Sequence, residues 1–72
     1  MVNHQKVSAK IGCNLKKIRL QMKLSQMEIS LITKLSRSYI GRIETRKARV
    51  TLGLLYMLVK GLKITSSDLI DE

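Results

Sequence analysis

Apolar residues at Ile11, Leu15, Ile18 and Met22 recur at i, i+4, i+7 and i+11. That spacing lines one face of an α-helix and predicts a first helix over about Ala9 to Lys23, with Lys16, Lys17 and Lys23 off the stripe. Residues 1–8 are polar and aperiodic, and are expected to form an N-terminal arm or a weak extension of that helix. Ser25 followed three residues later by Glu28 has the spacing of a capping box, so a second helix should open at Gln26 and reach about Thr33. It would bury Ile29, Ser30 and Thr33, with Leu35 packing from the turn. Ser36 is the next N-cap candidate, ahead of a helix from Arg37 to about Thr45 in which Ile40 and Ile43 face inward. Thr51 should cap a fourth helix with a stripe of Leu52, Leu55, Leu58, Val59 and Leu62, ending near Gly61. Thr65 and Asp68 repeat the box as a Thr-x-x-Asp variant and open a last short helix carrying Leu69 and Ile70.

The pattern is all-α, and the composition agrees. There is no Pro, Phe or Trp and only two Tyr, so the core must be built from Ile, Leu, Val and Met. Seventy-two residues suffice for one small domain, expected over residues 9–72. Several apolar positions fall outside the core stripes, among them Met27, Leu31 and Met57. Four of them, Leu54, Tyr56, Ile64 and Ile70, are candidates for a self-complementary homodimer interface.

Charge narrows the function. The formal net charge is +9, which makes a polyanion the first partner to consider. From Lys34 to Arg49 six basic residues stand against Glu44 alone, a balance of +5; from Val50 onward Lys60 and Lys63 stand against Asp68, Asp71 and Glu72, a balance of −1. One part of the chain is built to face an anion, and the other is not. No apolar run approaches the length of about 18 residues that a membrane span needs. The N-terminal stretch also lacks the apolar segment of a signal peptide. Cys13 is the single cysteine, which excludes an internal disulfide and fits a cytoplasmic setting. With one Cys and one His, the chain by itself offers no zinc site. Its five acids include no pair suited to catalysis, so no enzyme activity, cofactor or small-molecule substrate is expected.

Two short helix signals only a few residues apart, the second opening into Arg and Lys, have the grammar of a helix-turn-helix, whose second helix enters the DNA major groove. Arg37 can present two parallel donors to guanine O6 and N7. Ser38 and Arg42 lie four apart and share its outward face, and Gly41 beside them allows close approach to the groove wall. Gln26 stands at a helix start, where a side-chain amide and free backbone N–H groups can meet a phosphate. Arg46, Lys47 and Arg49 suit phosphate neutralisation, and Ser36, Gly41 and Thr51 complete the expected backbone contacts. Charge alone would also suit a cationic membrane-surface or protein-interaction module. RNA is less suited, because two tyrosines leave little to stack on unpaired bases.

From about Leu15 to Ile70 the sequence resembles the Xre-type, lambda-repressor-like helix-turn-helix domains, and within them the small controller proteins of restriction-modification systems. The carrying segments are LKKIR, LSQMEIS, LSRSYIGRIE, RKARVTL and GLKITSSDLI. The resemblance implies a five-helix DNA-binding domain that acts as a homodimeric transcriptional regulator on a palindromic operator. It also implies an ion pair, Arg19 to Glu44, joining the first helix to the third, and a DNA contact for Tyr39, for which a half-buried core edge is the alternative. A phage-type repressor or an antitoxin would share these features. The chain departs from the family at Lys34, where Gly is common in the turn, at Ser30 for Ala, and at Val50 for Pro.

Overall fold

The computed structural model describes residues 4–70. Among them the chain forms five helices: α1 (His4–Gln21), α2 (Gln26–Thr33), α3 (Arg37–Glu44), α4 (Leu52–Leu62) and α5 (Ser66–Ile70). Of the segment expected as an arm, residues from His4 onward are helical, and residues 1–3 lie outside the described residues.

Four side chains set where the helices begin. Ser25 Oγ accepts from the Glu28 amide at 3.0 Å while Glu28 Oε1 accepts from the Ser25 amide at 2.9 Å, closing the capping box at α2. Ser36 Oγ accepts from the Tyr39 amide at 3.0 Å and Thr51 Oγ1 from the Leu54 amide at 3.2 Å, capping α3 and α4. Thr65 and Asp68 exchange the same reciprocal pair ahead of α5.

The helix ends follow a second rule. Lys23, Lys34, Arg46 and Lys63, one after each of the first four helices, all have φ between 57° and 66°. After α1 the Leu24 amide donates to Arg19 O and the Lys23 amide to Leu20 O, the double bond of a Schellman motif. After α3 the Lys47 amide donates to Arg42 O and the Arg46 amide to Ile43 O in the same way. A left-handed backbone favours Gly, and a side chain there costs roughly 1 to 2 kcal/mol. A cation at that place recovers part of this, about 0.3 to 1 kcal/mol, from the negative end of the helix dipole.

Packing then follows from the apolar faces. α1 lies against α3 and α5, and α2 against α3 and α4, around Leu15, Ile29, Ile40, Ile43, Leu58 and Leu69, all fully buried. Two glycines let the layers close. A Cβ on Gly12 would collide with the Ile43 carbonyl oxygen, and one on Gly61 would press to 3.2 Å on Ile32 O and Thr33. Asn14 Nδ2 donates to Leu69 O at 2.6 Å, pinning α5 to α1. Ser8 Oγ accepts from the Val50 amide at 3.1 Å, holding the start of α1 against the loop after α3.

Three expectations from the stripe pattern are corrected. Met22 is 45% exposed: its amide still donates to Ile18 O, but it stands at the very end of α1, one place ahead of the left-handed turn at Lys23. Leu52 is 83% exposed and Leu54 is 6% exposed, so the face of α4 that enters the core is Leu54, Leu58 and Leu62, spaced by four. Leu54 is therefore a core residue of the single chain and is removed from the expected dimer interface. The helix bounds also differ by a few residues: α1 starts earlier than Ala9 and stops before Lys23, α3 ends at Glu44, and α4 continues to Leu62.

Candidate functional site

The two apolar residues of α3, Ile40 and Ile43, are fully buried, and this fixes which way the rest of the helix points. Arg37, Ser38 and Arg42 are exposed together on the opposite side, and Gly41 lies half-buried on the flank toward α2. Tyr39 is half-buried and packs against the core cluster. Beyond the end of α3, Arg46, Lys47 and Arg49 are exposed while Ala48 between them is buried, so the loop is held down at one point and its three cations are free to face outward. Ser36 and Thr51 are exposed, each with its hydroxyl oxygen already engaged as a cap acceptor.

Beneath this surface lies a polar network. Arg19 Nε donates to Glu44 Oε2 at 2.7 Å and Arg19 Nη2 donates to Glu44 Oε1 at 3.1 Å, a two-pronged pair. The third guanidinium nitrogen, Nη1, donates to Leu24 O at 2.9 Å, in the turn between α1 and α2. The side chains are 11% and 2% exposed, so the pair is shielded from solvent. A buried pair with good geometry is costly to break, about 3 to 5 kcal/mol, because the surviving charge is left without a partner. It ties the C-terminal end of α3 to α1 and to the turn before α2.

Gln26 joins the same network. Its Nε2 donates to Glu44 Oε1 at 3.1 Å, so the amide expected to reach a phosphate is turned toward the protein at one N–H. This link was not read from the sequence. The signal for it was present in a limited form, since a carboxylate has more acceptor sites than one Arg can fill. Among the described residues no group of three or more His, Cys, Asp or Glu side chains is placed to hold a metal. No helix of the described residues is long and apolar enough to cross a membrane.

Of the residues expected at the dimer interface, Tyr56 is 63% exposed, Ile70 is 37% exposed and Ile64 is half-buried. Leu52, outside the expected set, is the most exposed large apolar side chain described, and with Leu55, Tyr56, Val59 and Ser66 it lines a shallow apolar groove between α4 and α5.

The model of the helix-turn-helix family HTH_3 matches residues 15–69. Among solved structures, the chain is similar to the restriction-modification controller protein C.AhdI from Aeromonas hydrophila, with 31% identity over 86% of this chain and 94% of that one, and a TM-score of 0.80. It is also similar to the controller protein C.Esp1396I, solved as a tetramer in complex with its natural 35 base-pair operator, with 30% identity, a TM-score of 0.77 and coverage of 82% of this chain and 80% of that one. An HTH_3 family transcriptional regulator from Vibrio cholerae shares the fold, with a TM-score of 0.88 at 24% identity. The match covers 93% of this chain but only 38% of the Vibrio protein's length. No curated protein matches the sequence.

Proposed function

The chain belongs to the helix-turn-helix family HTH_3, and on that footing we propose that it is a sequence-specific double-stranded DNA-binding transcriptional regulator working in the cytoplasm as a homodimer. The observation that carries this reading is the shared exposure of Arg37, Ser38 and Arg42 on α3, flanked by the cations of the following loop and backed by the buried Arg19–Glu44 pair. The division of labour is physical. Arg37, Ser38 and Arg42 read base edges, with Tyr39 at the rim of the helix, while Arg46, Lys47 and Arg49 neutralise phosphates. Gln26, Ser36, Gly41 and Thr51 line the backbone side. The regulator acts through occupancy of its site rather than by catalysis.

The similarity to C.AhdI and C.Esp1396I supports a controller-type role on an operator, and a two-fold homodimer would read a palindrome there. The homodimer would use the face of α4 and α5 where Tyr56, Ile64 and Ile70 lie, with Leu52 added to it. A two-fold axis there would set two copies of α3 about one DNA turn apart, roughly 34 Å, or a near multiple.

The test is selection of duplexes from a random pool by the intact chain, followed by binding of Arg37→Ala to the recovered duplex and to a scrambled one. The expected result is a palindromic consensus, with a loss of about 1 to 3 kcal/mol on the selected duplex and little on the scrambled one. Equal losses on both would demote Arg37 to a phosphate contact, and failure to enrich any sequence would sink specific recognition.

A further inference from the structure

Where the C-terminal ends of α2 and α4 meet, the surface carries another groove, one that neither the core nor base readout uses. Gly61 sets its floor, because the missing side chain lets α4 come so near α2 that a Cβ there would stand 3.2 Å from Ile32 O and from Thr33. Thr33 is buried, and its hydroxyl donates back to Ile29 O at 2.8 Å, which leaves it no donor for the groove. Ile32, Tyr56 and Met57 form the walls around about 350 Å³, and all three are exposed, at 43%, 63% and 38%. Lys34 and Lys60 complete the lining.

The fold by itself accounts for the two lysines. Each lies at the C-terminal end of its helix, where a cation meets the negative end of the dipole. It does not account for the apolar walls, since contact with water stabilises none of them. Charge and shape together say what would cover them. Lys60 Nζ is 5.7 Å from the centroid of the Tyr56 ring, which holds a cation over an apolar wall. No acid lines the groove, and Glu28, the acid of α2, is bonded to the Ser25 amide at the far end of that helix. Two cations around an apolar trough complement a helix with apolar residues on one face and carboxylates beside them. A second copy does not fit that description. It would bring another net charge of +9, and its Glu44 is buried while Glu28 and Asp68 are already bonded to helix-start amides. A duplex fits no better, because its phosphate wall gives three apolar side chains nothing to bury against.

We infer that the groove between α2 and α4 docks an acidic amphipathic helix of a different protein, with apolar residues on Ile32, Tyr56 and Met57 and carboxylates on Lys34 and Lys60. This surface is independent of the DNA-binding reading, and it places the partner beside the turn that leads into α3.

The probe is a peptide of about 18 residues, five helical turns, with Leu at helical spacing on one face and Glu and Ala elsewhere. It is titrated into the full chain carrying isotope-labelled isoleucine and methionine methyl groups, beside a counterpart with Lys for every Glu. The expected result is saturable binding of the acidic peptide alone, with a Kd of about 10 to 100 μM, the largest shifts at Ile32 and Met57, and Met22 at the end of α1 unmoved. Tyr56 also lines the groove of α4 and α5, so the variants leave it in place. Lys60→Glu should weaken the peptide about tenfold, an attraction turned into a repulsion. Met57→Ala should weaken it about fivefold through lost apolar area. Lys63→Glu makes the same charge change outside the groove and should cost less than about twofold, with thermal melts verifying that each variant is folded.

No saturation by about 1 mM, equal binding of the lysine peptide, or equal losses in Lys60→Glu and Lys63→Glu would overturn the inference. So would the same shifts at Ile32 and Met57 on raising the concentration of the chain alone, which would give the groove to a second copy, or on adding a scrambled duplex, which would give it to nucleic acid.

Discussion

The part of the domain around α3 and the part built from α4 and α5 handle burial in opposite ways. Around α3, polar groups go inside: Arg19, Ser30, Thr33 and Glu44 are all buried, and the outward side chains of α3 and of the loop after it include Arg37, Ser38, Arg42, Arg46, Lys47 and Arg49. In α4 and α5 the inward residues are leucines only, Leu54, Leu58, Leu62 and Leu69, while Leu52, Tyr56, Met57 and Ile70 are left facing water. The charge balance divides in the same place, +5 over residues 34–49 and −1 from residue 50 onward. Hydrogen bonds are directional and apolar contacts are not. A helix that must present side chains to base-pair edges at a set angle gains from a polar anchor beneath it. On the proposed reading the other surface is covered by a second copy, and apolar area suffices for that.

The strongest way to break this comparison is through the anchor. Arg19→Met leaves Glu44 buried with only Gln26 beside it and should cost about 3 to 5 kcal/mol of stability in a denaturant melt. Pairing it with Glu44→Leu removes the orphaned charge and should recover most of that loss while leaving DNA binding weakened, because α3 then has no directional tether. A double variant as unstable as the single one would show that packing, and not the charge pair, holds α3.

The apolar side is tested next. Tyr56→Asp places a charge on the exposed face of α4 and should weaken self-association at least about tenfold, with thermal stability of the single chain little changed. Sedimentation at micromolar concentration reads this directly, and an unshifted monomer–dimer equilibrium would move the interface elsewhere.

A smaller effect sharpens the electrostatic side. Arg46→Ala should weaken binding to all duplexes alike and reduce the slope of log affinity against log salt by about 1. A change confined to one sequence would make Arg46 a base reader. The smallest effect is expected at the turn between α2 and α3. Lys34→Gly relieves roughly 1 to 2 kcal/mol of left-handed strain but forfeits up to about 1 kcal/mol in chain entropy and part of the dipole interaction. The net gain should be a few tenths to about 1 kcal/mol in a thermal melt. A loss of stability would mean that the Lys34 cation contributes more at the end of α2 than its backbone costs.

How legible all this was differs from residue to residue. Ser25, Ser36, Thr51 and Thr65 were readable as caps because each acts within three residues of itself, on backbone groups whose position is set once a helix begins. Ile29, Ile40, Ile43 and Leu58 were readable as core because helical periodicity places them on one side. Leu52 and Leu54 were exchanged because the first turn of a helix contains leucines in more than one direction, and only the position of α2 and α5 selects among them. The left-handed cations after α1 and α4 carried a signal that was not read: Lys23 and Lys63 are each followed by a half-buried apolar residue, Leu24 and Ile64.

The helices, their order, the basic segment and the helix-turn-helix grammar are written in the chain, since these depend on local hydrogen bonds, short-range periodicity and the order of charges along it. Packing selects the rest: Gln26 turns one N–H toward Glu44, Leu54 enters the core while Leu52 does not, and a side chain has room at Gly41 but not at Gly12 or Gly61. Those facts depend on distances between residues far apart in the chain, which periodicity does not specify and which exist only once the helices have packed.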